Sequence, residues 1–186
     1  MIVLKTTQNQ LLGALQSVAG IVERRHTLPV LANVLLRKNG ETVQLTTSDL
    51  EIQIRTAATL GGDSGNFATT VGARKLIDIL RTMPADQTVS LESQQNKLIL
   101  KGGKSRFTLQ TLPAEDFPLV QEAPNFGPAF KVPQKTLKNL LDQVAFAMAV
   151  HDIRYYLNGI LFVAEGTQLS LVATDGHRLA FASATL

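Results

Sequence analysis

Residues 31–49 read LANVLLRKNGETVQLTTSD, and residues 157–175 read LNGILFVAEGTQLSLVATD. Leu31, Leu35, Gly40, Leu45 and Asp49 recur 126 positions later as Leu157, Leu161, Gly166, Leu171 and Asp175, with Val34/Ile160 and Val43/Leu169 as conservative pairs between them. Leucines, a glycine and an aspartate at fixed places mark a repeated fold, not a repeated composition. Locally the first copy shows an apolar run at Val34 to Leu36, a turn at Lys38 to Glu41 around Asn39-Gly40, and then Val43 and Leu45. A second turn at Ser48-Asp49 and an alternation of Leu50, Ile52 and Ile54 complete an expected antiparallel meander.

The offset extends upstream, where Lys5, Gln8, Leu11, Leu15, Val18 and Ala19 match Lys131, Gln134, Leu137, Leu141, Val144 and Ala145. Met1 to Thr6 reads as a strand, and Gln8 to Ala19 as a helix with Leu11, Leu12, Leu15 and Val18 on one face, ended by Gly20. After the polar loop Gly61 to Gly65 and a strand at Phe67 to Val71, the same grammar starts again. Ala73 to Met83 is a helix with Leu76, Ile77 and Leu80 on one side and Arg74, Lys75 and Arg81 largely off it, closed by Pro84. Val89 to Leu91, Leu98 to Leu100 and Phe107 to Leu109 supply three more strands. The first unit is thus an α+β fold of duplicated β-α-βββ half-domains. Each helix has one apolar stripe to cover, which places the helices on one face of the sheets.

Pro113 to Pro128 holds four prolines with acidic residues and little periodicity, the composition of a linker. The expected division is a first domain at 1–118, a linker at 119–128 and the first half of a second domain at 129–186, with the remainder of the repeat expected downstream. In that half, Phe130 to Val132 repeats the opening strand and Lys135 to Ala149 the helix, with Leu137, Leu140, Leu141, Val144 and Met148 inward. Leu157 to Leu179 repeats the meander. Past Asp175 the alternation slips, since Leu50 and Ile52 map to Gly176 and Arg178 while Leu179 and Phe181 are the apolar positions. A bulge or altered turn is expected at Gly176.

The 186 residues are 45% hydrophobic and 18% charged, an ordinary globular balance. Absence of cysteine excludes disulfides, zinc-thiolate sites and thiol catalysis and fits a reducing compartment. No stretch approaches 18 uninterrupted apolar residues, so a cytoplasmic protein without a membrane span is expected. A net charge of +3 is too small to demand nucleic acid. Local clusters carry more information: Arg24, Arg25 and His26; Arg74, Lys75 and Arg81; Lys101, Lys104 and Arg106. Each is either a solvated face or part of an electrostatic footprint.

The most distinctive string is Ala173-Thr174-Asp175-Gly176-His177-Arg178-Leu179. Asp175 and His177, two apart, could share one face of a strand and orient an imidazole as in a small hydrolase. No third convergent group follows from spacing, and an Asp-Gly turn with a polar edge accounts for the string equally. The three histidines, His26, His151 and His177, are scattered, and no metal or cofactor motif is present. Arg154-Tyr155-Tyr156-Leu157 holds the only two tyrosines. They either pack against the second meander or, beside an arginine, suit phosphate contact.

Four motifs in order, Thr27-Leu28-Pro29-Val30-Leu31-Ala32-Asn33, Ser105-Arg106-Phe107-Thr108-Leu109 running into Leu112-Pro113-Ala114-Glu115-Asp116-Phe117-Pro118, Arg154-Tyr155-Tyr156-Leu157-Asn158-Gly159 and Ala173 to Ala180, closely resemble the bacterial β sliding clamps. These are processivity subunits of the replicative DNA polymerase. The resemblance implies the DNA clamp fold, with three similar domains per subunit, antiparallel sheets outside and helices lining the hole of a head-to-tail homodimer ring. It implies no catalysis and no cofactor. Arg24, Arg25, Arg74, His151, Tyr155 and Tyr156 are then expected to contact duplex DNA, with His151 standing where many relatives have glutamine. Leu157, Thr174, Gly176, His177, Arg178 and Leu179 are expected to form part of the pocket for the short linear motif of the polymerase, clamp loader and repair proteins. Lys75, Lys104, Arg106, Phe107 and Leu109 resemble the first-domain face that meets a third domain of the other subunit. The rival classes are the small hydrolase using Asp175 and His177, and a freestanding DNA-binding module with strong, salt-sensitive affinity for linear DNA.

Overall fold

The computed structural model describes every residue except Arg25 and His26. It divides into two compact units, Met1–Glu122 and Ala123–Leu186.

The first unit runs β1 (Ile2–Thr7), α1 (Gln8–Val18), β2 (Asn33–Asn39), β3 (Thr42–Ser48), β4 (Gln53–Thr59), β5 (Asn66–Gly72), α2 (Ala73–Arg81), β6 (Thr88–Gln94), β7 (Lys97–Gly102) and β8 (Ser105–Leu112). The Thr7 side chain accepts from the Gln10 amide and caps α1. The helix passes into a 3-10 turn, Ala19–Ile21, so Gly20 lies within that turn and is not a terminator. Leu11, Leu15 and Val18 of α1 and Leu76, Ile77 and Leu80 of α2 enter one core. Val34, Leu36, Val43 and Leu45 reach it from one meander and Val89, Leu91, Leu98 and Leu100 from the other.

Strand order is β1-β6-β7-β8-β5-β2-β3-β4. β1 pairs with β6 and β5 with β2, so each half lends its first strand to the meander of the other. Neither half therefore completes a sheet alone. The arcs approach one another at two seams. At one, Lys5 N–H donates to the Leu60 carbonyl (2.9 Å) and Asp63 N–H to the Ile2 carbonyl (2.8 Å). At the other, β5 meets β8 only through Thr70↔Leu112 and Val71↔Thr111. From Ser105 to Gln110, β8 is paired with β7 alone.

Leu50 and Ile52 do not belong to a strand. They stand 50% and 52% exposed in the β3–β4 turn, and β4 starts at Gln53. The Asp49 carboxylate accepts the N–H groups of Glu51 (2.9 Å) and Ile52 (2.7 Å), a local side-chain turn that displaces the alternating pattern. Asp49→Ala is expected to destabilise the unit by about 1 kcal/mol in urea unfolding, the scale of a lost turn-capping acceptor. The proline-rich stretch also begins inside the first unit. Ala114 and Phe117 are buried with Val30, Leu31 and Leu35 in a separate small cluster.

The second unit contains α3 (Gln134–Val144), β9 (Leu161–Glu165), β10 (Gln168–Thr174) and β11 (Leu179–Thr185), with sheet order β11-β10-β9. α3, β10 and β11 reproduce both ends of α1, β3 and β4 at the 126 offset. Leu140, Val144, Leu169, Leu171, Ala173, Ala180 and Ala182 form its core. The strand expected at Phe130 to Val132 is absent. Its counterpart β1 is held by pairing with β6 of the other half of its unit. Leu161 and Phe162 are 60% and 51% exposed, whereas Leu35 and Leu36 are buried in β2, which pairs with β5.

Candidate functional site

The β10–β11 turn corrects the expectation of a bulge or altered turn. Gly176 has φ +89° and its counterpart Leu50 φ +79°, so both copies use the same left-handed position. Asp175 Oδ1 accepts the N–H groups of His177 and Arg178, both at 2.9 Å, as Asp49 does in the first unit. Thr174 Oγ1 accepts the Gly176 N–H (3.1 Å), as Ser48 Oγ accepts that of Leu50 (3.1 Å). The register never slips, because the residues whose alternation failed are turn residues in both copies.

This geometry removes the basis of the hydrolase reading. Asp175 and His177 sit in the turn before β11 and do not share a strand face. Asp175 Oδ2 receives Arg178 Nε (3.1 Å), so both carboxylate oxygens serve the turn. The N–H groups of Arg178 and His177 hold the Asp175 carboxyl below its ordinary value, the behaviour of a capping acceptor. Among the described residues, no group of three His, Asp or Glu side chains is placed to hold a metal ion.

Against the turn lies a braced loop, residues 149–158. Ala149 N–H donates to the Leu157 carbonyl (3.1 Å), and Asn158 and Asp152 exchange two bonds at 3.0 Å. Asp152 grips Arg154 through Nε (3.0 Å) and Nη2 (2.8 Å), and Arg154 Nη2 reaches on to the Asp175 carbonyl (3.3 Å). The side-chain hydrogen bond from Arg154 is the largest cause lowering the Asp152 carboxyl to about 2, from an ordinary 3.8. A depressed carboxylate supports the loop fully above its ordinary value and loses that support as pH falls through its folded value. The bracket should therefore release between pH 3.8 and about 2. A carboxyl NMR titration should show Asp152 with a midpoint near 2, returning toward the ordinary range in Arg154→Leu.

Leu157 in the loop and Thr174 at the turn are half-buried, while His177, Arg178 and Leu179 are exposed. Leu179 and Phe181 alternate outward from β11 with the inward Ala180 and Ala182, so an apolar strip adjoins the turn. Arg178 lies over the Phe146 ring at 5.7 Å. Tyr155 and Tyr156 stand exposed at the front of the loop, edge to face at 5.9 Å, and His151 is exposed at φ +57°. They do not pack against the meander. Of the residues expected at nucleic acid, the loop carries His151, Tyr155 and Tyr156, and its Arg154 reaches the turn that carries Gly176, His177 and Arg178. The bracing pair Asp152–Arg154 was not singled out from sequence. Its signal was the pairing of Arg154 with Leu28 and of Gly176 with Leu50 at the repeat offset.

In the first unit a cavity of about 760 Å³ between α1 and α2 is lined by Arg24, Arg74, Lys75 and Arg81 together with Glu23 and Asp78. Arg74 also has a structural task, since its Nη2 donates to the Val22 carbonyl (2.6 Å). Arg25 lies outside the described residues. Lys104 in the β7–β8 turn and Arg106 of β8 are exposed, and Phe107 is half-buried. Leu109 is only 6% exposed and belongs chiefly to the core. Its remaining surface and Lys75 line a groove of about 280 Å³ with Val71, Gly72 and Thr108, where β5 and β8 part.

Residues 2–121 match the family of the DNA polymerase III beta subunit, N-terminal domain, and residues 131–186 match its central domain. The chain belongs to the DNA polymerase III beta subunit family. It is 49% identical to the beta sliding clamp of Pseudomonas aeruginosa over 173 residues, covering 93% of this chain and 47% of that protein. It is 43% identical to the Escherichia coli beta sliding clamp over 176 residues, covering 95% and 48%. The crystal structure of the P. aeruginosa subunit superposes with a TM-score of 0.89 at 46% identity, over 98% of this chain and 49% of that one. The chain thus has the α+β clamp fold and spans about half the length of the relatives it matches. Among the described residues, no helix is long and apolar enough to cross a membrane.

Proposed function

We propose that the protein containing these residues is a sliding clamp, a non-enzymatic processivity factor that encircles duplex DNA and tethers the replicative polymerase. The observation that carries this reading is the match of the two units, in order, to successive domains of the beta subunit family. Retention in such a device is topological: a closed ring cannot leave DNA sideways, so no strong or sequence-specific contact is needed. Arg24, Arg25, Arg74, His151, Tyr155 and Tyr156 are proposed to meet phosphates, exchanging as the ring slides. The four cations around the first-unit cavity support this.

The turn and strip formed by Leu157, Thr174, Gly176, His177, Arg178 and Leu179 are proposed to take the short motif of the polymerase, the clamp loader and repair proteins. Apolar walls with a few oriented polar groups suit a flexible peptide's anchors. The unpaired edge of β8, with Lys104, Arg106 and Phe107, and the groove at Lys75 and Leu109 are proposed to meet the other subunit of a homodimer ring. An open strand edge is a ready template for a second chain. A cytoplasmic location, without membrane partner or cofactor, goes with this role. The test is retention of the full-length protein, after loading, on circular against linearised DNA. Retention on circles that is lost on linearisation supports the ring, and equal retention on both overturns it. The salt dependence should be shallow, because few phosphates are engaged at once.

A further inference from the structure

Arg154 and Gly176 differ together between the two units. The first unit has Leu28 and Leu50 at the matching positions. Its turn nevertheless has the same left-handed residue and the same bonds from its aspartate. The turn therefore forms without glycine. Arg154 is what lies against it: a Cβ on residue 176 would sit 3.0 Å from one terminal nitrogen of the Arg154 guanidinium and 3.3 Å from the other, so the guanidinium would have to shift by a few tenths of an ångström. The guanidinium fills the space that a side chain would take. Asp152 holds Nε and Nη2 on one side, and Nη2 bonds the Asp175 carbonyl on the other. A planar group anchored in this way is preorganised.

We infer that Arg154 is a positioning residue of the peptide site, acting through the Asp175–Gly176 peptide unit. This rests on the reading of the turn as that site. Fixing the plane between Asp175 and Gly176 fixes the line of backbone from Gly176 to Leu179 along which a peptide lies. Less ordering then remains to be done on binding. The same guanidinium ties the turn to the loop that carries Tyr155 and Tyr156.

The test is an anisotropy titration of a labelled peptide, containing a glutamine and a terminal apolar pair, against the full-length protein. Arg154→Leu should weaken binding about tenfold, the scale of a charge-assisted hydrogen bond at a partly exposed site. Its Tm should hold, since the first unit forms the turn with leucine in the matching place. Gly176→Ala should cause a similar loss by displacing the guanidinium, and the double variant should be no weaker than either single one. Arg154→Lys should restore only part, because an ammonium cannot hold the carboxylate and the carbonyl in one plane. Unchanged affinity in Arg154→Leu, losses that add in the double variant, or a loss matched by a fall in Tm would overturn the inference. If Leu157→Ala with Leu179→Ala leaves binding intact, the site reading itself fails and takes this one with it. If that pair weakens binding while Arg154→Leu is silent, only the positioning role falls.

Discussion

Leu157→Ala combined with Leu179→Ala should weaken peptide binding to the full-length protein by almost two decades while leaving it folded. Leu179 is 66% exposed and Leu157 half-buried, and neither belongs to the buried core of the second unit, so their truncation should spare the fold. Losing about 100 Å² of apolar contact forfeits about 2.5 kcal/mol, which is almost two powers of ten in Kd. Calorimetric titration with the motif peptide reads this directly. Binding unchanged in the double variant would remove these residues from the site.

Gly62→Ala should cost the first unit about 4 kcal/mol, enough to unfold a marginal domain at moderate temperature. Gly62 has φ +91°, and an added Cβ would lie 2.7 Å from the Ile2 carbonyl, 2.9 Å from that of Val3 and 3.0 Å from Leu4 Cα. All three are backbone atoms of β1, so nothing flexible can give way. The loop could relax only by withdrawing from β1 and losing the bonds at Leu60 and Asp63. The buried Lys38 amine bonds the Gly61 carbonyl (3.0 Å) and would be disturbed as well. Gly40 gives the contrast: it also has positive φ (+62°) but open space around it, so Gly40→Ala should cost about 1 kcal/mol. Urea unfolding of both variants checks the ranking. Equal losses would show that the β1–β4 seam is not the tight joint described.

The repeat, the place and type of α1, α2 and α3, and the meanders are legible in the residues alone, because they follow from short-range periodicity. Leu11, Leu15 and Val18 face inward for the same reason as Leu140 and Val144: residues one helical turn apart share a side. Resemblance added the family, which the domain matches show. The remaining features depend on partners far apart in the chain and become visible only in the folded molecule. Residues 2–7 become a strand by pairing with β6, more than 80 positions away in the other half of the unit, while residues 130–132 form no strand. The β3–β4 and β10–β11 turns looked different because Leu50 and Ile52 are apolar while Gly176 and Arg178 are not. Yet both are fixed by an aspartate binding two backbone N–H groups, which sets the turn whatever the hydropathy of its tip. The same bonds withdraw Asp175 from any work with His177. The contact of Arg154 with Gly176 joins residues 22 positions apart through space that only folding creates: the repeat offset marks both positions as changed, but not that they touch.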